Sequence, residues 1–200
     1  VPVNLRHCGR LRAAAFFLCI LTPAMLGKRN VFLIGPMGSG KSAVGKCLAQ
    51  MLDAPFYDSD SEIERTTGVD IPYIFEKEGE AGFRQRERDV IDALTKLEPV
   101  VLATGGGAVI LPENRQRLAE RGFVVYLETS VAQQVRRVRH ARHRPLLANV
   151  DPQVRLAELM RQRAPLYTEI ADVVVRTDGR KVQSVAEEIV RAHRRHLQAG

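Results

Sequence analysis

The chain has 200 residues, 45% of them hydrophobic and 26% charged, which suits one domain with appended flaps and argues against a disordered or collagenous chain. Cys8, Cys19 and Cys47 form neither a CxxC pair nor an even set, which argues against a disulfide scaffold and a structural zinc site. The formal charge is +7, yet residues 1–52 hold seven Lys and Arg and no acid, so the remainder balances at 23 against 23 and no general polyanion partner is required.

Arg6, Arg10 and Arg12 precede Ala13–Leu26, AAAFFLCILTPAML, a mostly apolar run interrupted by Pro23. A membrane-spanning helix needs about 20 residues, so residues 1–29 read as an extension outside the fold. It is dispensable, or the start was assigned too early, Met25 being the first methionine. A targeting segment and a membrane-surface anchor are the rival readings. The expected location is the cytoplasm.

From residue 30 onward, apolar runs at Asn30–Ile34, Pro55–Tyr57, Val100–Ala103, Phe123–Leu127 and Asp172–Arg176 alternate with helical patterns. Pro112 opens a helix that Gly122 closes. Ser130 to Gln133 is a capping box before QVRRVRHAR, and Asp151-Pro152 starts a helix that Pro165 is expected to stop. Lys181–Leu197 closes the chain, with Val182, Val185, Ile189 and Val190 on one face. Strands alternating with helices predict an α/β fold whose parallel sheet is covered on both faces.

The first strand runs into Gly35-Pro-Met-Gly38-Ser39-Gly40-Lys41-Ser42, which matches GxxxxGK[ST] between a strand and a helix. Such a loop turns backbone N–H groups onto phosphate oxygens at a helix N-terminus. Lys41 is then placed to reach the β- and γ-phosphates and Ser42 to ligate Mg²⁺, so the chain is expected to bind a nucleoside triphosphate. It carries no N-K-x-D base-reading motif, and the strand VVLA ends in Thr104-Gly105-Gly106-Gly107 rather than in an acid. The acids instead follow the second strand, as Asp58 and Asp60. Two residues apart on an extended strand end, they would face one side of the ligand crevice. One could hold the metal shell while the other accepts a proton, unless Asp60 only caps the following helix. The three glycines read as a close backbone approach to a ligand, with a bare turn as the bland alternative.

Among thirty cations, position must discriminate. Arg84 follows the acid loop on a helix, and Arg163 is expected near a helix end before Pro165. Arg136, Arg137, Arg139, Arg142 and Arg144 crowd the approach to Pro145, as a mobile lid over phosphates would. The five histidines form no triad or metal set, and the terminal HRRH reads as a solvated helix end.

Taken in this order and spacing, GPMGSGKS, FYDSD, GFRQRE, TGGG, RPLL and RAPLY resemble the shikimate kinase family over about residues 30–180. The resemblance implies a nucleoside-monophosphate-kinase-like core: a five-stranded parallel sheet in domain 30–200, with a substrate-binding flap and an Arg-rich lid at about 139–152. It implies transfer of the γ-phosphoryl of ATP to the 3-hydroxyl of shikimate with Mg²⁺, on the route to chorismate and the aromatic amino acids. By the same resemblance Gly38, Ser39, Gly40, Lys41, Ser42 and Ala43 form the phosphate loop. Asp58 is the metal's outer contact, and Asp60 binds the hydroxyl and serves as base. Arg84 and Arg163 clamp the carboxylate, and Gly105, Gly106 and Gly107 are backbone donors to substrate. Arg144 is the lid arginine, while Arg137 and Arg180 lie near the adenine. A monomer acting on shikimate and ATP, with neither nucleic acid nor membrane as partner, is expected. The rivals are a gluconate-type hydroxy-acid kinase, which is expected to lack TGGG and RAPLY, and a P-loop ATP switch that binds nucleic acid.

Overall fold

The computed structural model describes residues 28–138 and 151–199. Five strands, β1 (Val31–Ile34), β2 (Phe56–Asp58), β3 (Val101–Ala103), β4 (Phe123–Glu128) and β5 (Val173–Arg176), form one sheet in the order β2-β3-β1-β4-β5. Every adjacent pair is parallel. Seven helices connect and flank the described strands: α1 (Lys41–Leu52), α2 (Ser59–Thr67), α3 (Ile71–Leu94), α4 (Pro112–Arg121), α5 (Val131–Val138), α6 (Pro152–Ile170) and α7 (Val182–Ala199). The fold is the α/β arrangement expected.

Burial on both faces explains why the strands read as unbroken apolar runs. Side chains alternate across a strand. Val31 and Leu33 of β1, with Phe123, Val125 and Leu127 of β4, pack against Val44 and Leu48 of α1 and Val185 and Ile189 of α7. Phe32, Ile34, Val124 and Tyr126 face the opposite layer, where Ile91 of α3, Leu118 of α4 and Tyr167 of α6 cover them. Because all strands run one way, the phosphate loop after β1, the acids after β2 and the glycines after β3 share the carboxyl edge. With β3 between β2 and β1, the glycine turn lies between the acids and the phosphate loop.

Several local expectations are met. Pro112 sits in the first turn of α4, and Asp151 caps α6 by accepting from Gln153 N–H at 2.7 Å. The capping box at Ser130 forms by half, since Gln133 N–H donates to Ser130 Oγ at 3.3 Å while Ser130 N–H donates to Asp178 instead of the Gln133 side chain. Two are corrected. Pro165 does not stop α6, which runs on to Ile170. It lies on the exposed face, where water can serve the carbonyl its missing N–H leaves behind, while Leu159 and Tyr167 hold the other face in the core. Gly122 closes α4 as expected, in an extended conformation at φ −167. It is required for space, because a Cβ there would lie 2.5 Å from the Phe32 ring. Val182 is 41% exposed and stands off the buried face of α7.

Candidate functional site

The phosphate loop folds as its glycines dictate. Gly38 and Gly40 take φ of 77 and 95, conformations that L side chains rarely adopt. Gly40 caps α1 without a side-chain hydrogen bond, and no acid occupies the first turn. The helix therefore presents its N–H groups and positive dipole end to the loop. Lys41 Nζ folds back over it, donating to the carbonyls of Gly35 at 2.7 Å and Pro36 at 2.8 Å. Ser39 is buried inside the loop. Arg137, at the end of α5, donates to the Gly38 carbonyl at 2.7 Å, so it belongs to the phosphate side.

A cavity of about 200 Å³ opens beside this loop, lined by Lys41, Ser42, Asp58, Asp60, Thr104 and Gly106 among others. Ala43 also reaches it. Both acids face one cavity as expected, but through different geometry. Asp58 ends β2 and caps α2, its Oδ1 accepting from Asp60 N–H at 3.1 Å and Ser61 N–H at 3.4 Å. Asp60 is helical, already in the first turn of α2, so capping is the role of Asp58. Asp58 Oδ2 accepts from Ser42 Oγ at 2.6 Å, which joins the acid loop to the phosphate loop.

The glycine turn makes room and offers donors. A Cβ on Gly105 would lie 2.6 Å from Asp60 Oδ1 and 2.8 Å from Glu87 Oε1, so only glycine lets both carboxylates close in. Its own N–H donates to Ser59 Oγ at 2.8 Å and cannot also serve a ligand, contrary to expectation. The N–H groups of Gly106 and Gly107 donate to no acceptor among the described residues.

Arg84 and Arg163 are both buried. Arg84 Nη1 donates to Glu87 at 2.6 Å and Nη2 to Glu80 at 2.9 Å. Burial pulls the Arg84 guanidinium down, but the two glutamates hold it above its ordinary value. Burial pushes the Glu87 carboxyl up by more than Arg84 pulls it down. Arg163 sits inside α6 rather than at its end, and donates to the Gly106 carbonyl at 3.3 Å. Burial, with Arg84 as a like charge nearby, holds it below its ordinary value. The fully buried carboxylate of Glu87 bonds Arg84 alone of the two cations, while Arg163 lies within electrostatic reach of both. An added anion between them would relieve both, which suits a substrate carboxylate.

Arg180 is not brought to this cavity. It pairs with Glu188 of α7 at 2.7 Å and donates to the Arg176 and Ser184 carbonyls. Arg144 and most of the expected lid lie outside the described residues. Sequence reasoning passed over Glu87 and Tyr167. Their spacing, three residues after Arg84 and four after Arg163, was the available signal.

A parallel sheet with a phosphate loop at its carboxyl edge and an acceptor cavity beside it defines a small-molecule P-loop kinase. Residues 37–194 match the family model described as shikimate kinase. A shikimate kinase of Halorhodospira halophila is 57% identical over 163 residues, covering 82% of this chain and 92% of the relative. The chain belongs to the shikimate kinase family. It is an enzyme, with ATP as the phosphoryl donor and shikimate as the acceptor, in the biosynthesis of the aromatic amino acids. Among solved structures, a shikimate kinase from Acinetobacter baumannii in complex with shikimate superposes at TM-score 0.81 and 46% identity, over 84% of this chain and 94% of that one. A gluconokinase from Sinorhizobium meliloti, at TM-score 0.59 and 17% identity over 88% of this chain and 95% of that one, is alike in fold alone. The gluconate-type reading and the nucleic-acid switch are not favoured. Among the described residues no helix is long and apolar enough to cross a membrane.

Proposed function

We propose that Asp60, Arg84, Arg163 and the glycine turn hold shikimate against the γ-phosphate of ATP and that Asp60 is the base. The observation that carries this is the single cavity in which Lys41 and Ser42 of the phosphate loop meet Asp58 and Asp60. Arg84 and Arg163 clamp the carboxylate of shikimate, which sets the distance of its ring hydroxyls from the phosphate loop. Asp60 accepts the proton of the 3-hydroxyl as that oxygen bonds to the γ-phosphorus. The bond from the γ-phosphorus to the bridging oxygen breaks, and ADP leaves with the electron pair. Lys41 leaves the loop carbonyls for the phosphates and meets the charge that builds on them. Arg137 steadies the loop at Gly38, and the lid arginine Arg144 adds charge from outside the described residues.

Mg²⁺ fits the donors present. Ser42 Oγ and Asp58 Oδ2 are hard oxygens 2.6 Å apart at the cavity wall, and this ion takes few protein ligands and keeps waters and phosphates. Ser42 would hold it directly and Asp58 through water. When bound it neutralises charge on the β- and γ-phosphates.

We read the enzyme as a monomer. In the same reading the enzyme works in the cytoplasm, as residues 30–200, without nucleic acid or membrane as partner. ADP release measured over a panel of hydroxy acids, with and without Mg²⁺, tests the assignment. Turnover is expected with shikimate and Mg²⁺; comparable turnover of gluconate, or of shikimate without divalent metal, would overturn it.

A further inference from the structure

Tyr167 is fully buried in α6, stacked on Tyr126 with ring centroids 5.1 Å apart. Its hydroxyl donates to the Gly106 carbonyl in a contact of 2.5 Å. Arg163, one helical turn earlier, donates to the same oxygen at the longer distance of 3.3 Å. A trans peptide points its C=O and the following N–H in opposite directions, and the Gly106–Gly107 bond is trans. With the carbonyl pinned toward α6, the Gly107 N–H is turned away from it. That N–H has no acceptor among the described residues. Gly107 also lies against Arg84, since a Cβ there would sit 2.4 Å from its guanidinium nitrogens.

We propose that Tyr167 is a positioning residue for the acceptor: its hydroxyl sets the Gly106–Gly107 peptide plane, and so aims the Gly107 N–H at an oxygen of the bound hydroxy acid. This rests on the reading of Arg84, Arg163 and the glycine turn as the shikimate side. Glycine needs such a device because a residue without a side chain fixes its own peptide plane poorly. Tyr167 also frees Arg163. When Arg163 turns to the substrate carboxylate, the half-buried Gly106 carbonyl keeps a partner. Burial pushes the Tyr167 phenol well above its ordinary value, so it keeps the proton it donates.

Tyr167→Phe keeps the ring, its stacking and its volume, and removes only the hydroxyl. KM for shikimate is expected to rise roughly 3- to 10-fold, the range for one neutral hydrogen bond. KM for ATP should stay within about twofold, and Tm should shift little. An unchanged shikimate KM would overturn the proposal. So would a parallel rise in both KM values with a fallen Tm, which is what loss of packing alone would give. Should the variant not fold, the Gly107 amide signal of the unsubstituted enzyme decides: it is expected to shift on titration with shikimate, and an amide that ignores shikimate sinks the idea. An unsubstituted enzyme that turns over ATP with another hydroxy acid but not with shikimate would remove the substrate reading itself, whatever Tyr167 does.

Discussion

Residues 35–43 are consecutive and make most of the phosphate side, whereas the acceptor side draws on four separate stretches of chain. It takes Asp60 from α2, Arg84 and Glu87 from α3, Gly105–Gly107 from the turn after β3, and Arg163 and Tyr167 from α6. The phosphate side recognises with backbone N–H groups and a helix end, which tolerate many side chains and need few. The acceptor side recognises with buried charges whose positions depend on one another. Arg84 is held between Glu87 and Glu80, and Arg163 shares the Gly106 carbonyl with Tyr167. Substitutions on the acceptor side should therefore act on shikimate and leave ATP binding nearly untouched.

The largest expected effect comes where the two sides touch. Asp60→Asn keeps size and some orientation but removes the proton acceptor, so kcat should fall by about 10²–10⁴. KM for ATP should hold, because the loop and α1 supply that binding. Phosphoryl transfer through a loose transition state needs modest help from a base, which favours the lower end. Near-normal turnover would take Asp60 out of the chemistry and leave the two sides joined only by Asp58 and Ser42.

Arg163→Ala should raise KM for shikimate by roughly 10- to 150-fold, since a charged hydrogen bond is worth about 1.5–3 kcal/mol. Steady-state kinetics in both substrates check it. A rise confined to ATP would move Arg163 to the phosphate side and undo the division drawn above.

Glu87→Gln sharpens the comparison by loosening an acceptor residue without touching it. Without Glu87, Arg84 is left to Glu80, whose side chain is 54% exposed, and swings outward. KM for shikimate should rise roughly tenfold. The pH dependence has a definite sign. Burial raises the Glu87 carboxyl above its ordinary value, so it protonates, and releases Arg84, at a higher pH than an ordinary glutamate. Shikimate affinity should then climb as pH rises through that raised value, and the climb should be missing in the variant. Stability runs the other way. The native state holds the proton more tightly than the unfolded chain, so this group's contribution is complete below the ordinary value and is lost as pH rises through the raised one. Melting the two proteins across acid pH should show the difference.

How much of this was legible follows from how far apart the partners lie. The strands were readable nearly to the residue because two-sided burial leaves continuous apolar runs, and the phosphate loop because its chemistry is local. The acids were placed correctly at one cavity, but the cap fell to Asp58, because the helix begins two residues earlier than an extended reading of Asp60 allows. Arg84 and Arg163 could be picked out by position. That one is caged by carboxylates and the other hangs on a glycine carbonyl depends on α3, α6 and the β3 turn meeting in space. Pro165 misled because its solvent-facing position in α6 is set by tertiary packing rather than by propensity.

The smallest effect is expected at Arg180, which resemblance puts near the adenine and the structure does not bring to the phosphate cavity. Its guanidinium bonds Glu188, the Ser184 carbonyl and hydroxyl, and the Arg176 carbonyl, which ties the end of β5 to the first turns of α7. The pair with Glu188 is partly exposed, at 30% and 38% of the side chains. Such pairs contribute about 0–1 kcal/mol, screened further by salt. Arg180→Ala should therefore lower Tm by at most about 4 °C and leave KM for ATP within about twofold. Arg137, which already reaches the loop at Gly38, stays on the nucleotide side either way. A tenfold rise in KM for ATP with Tm unchanged would show that Arg180 leaves Glu188 when nucleotide binds. The phosphate side would then, like the acceptor side, draw on more than one distant element, Arg180 joining Arg137 of α5.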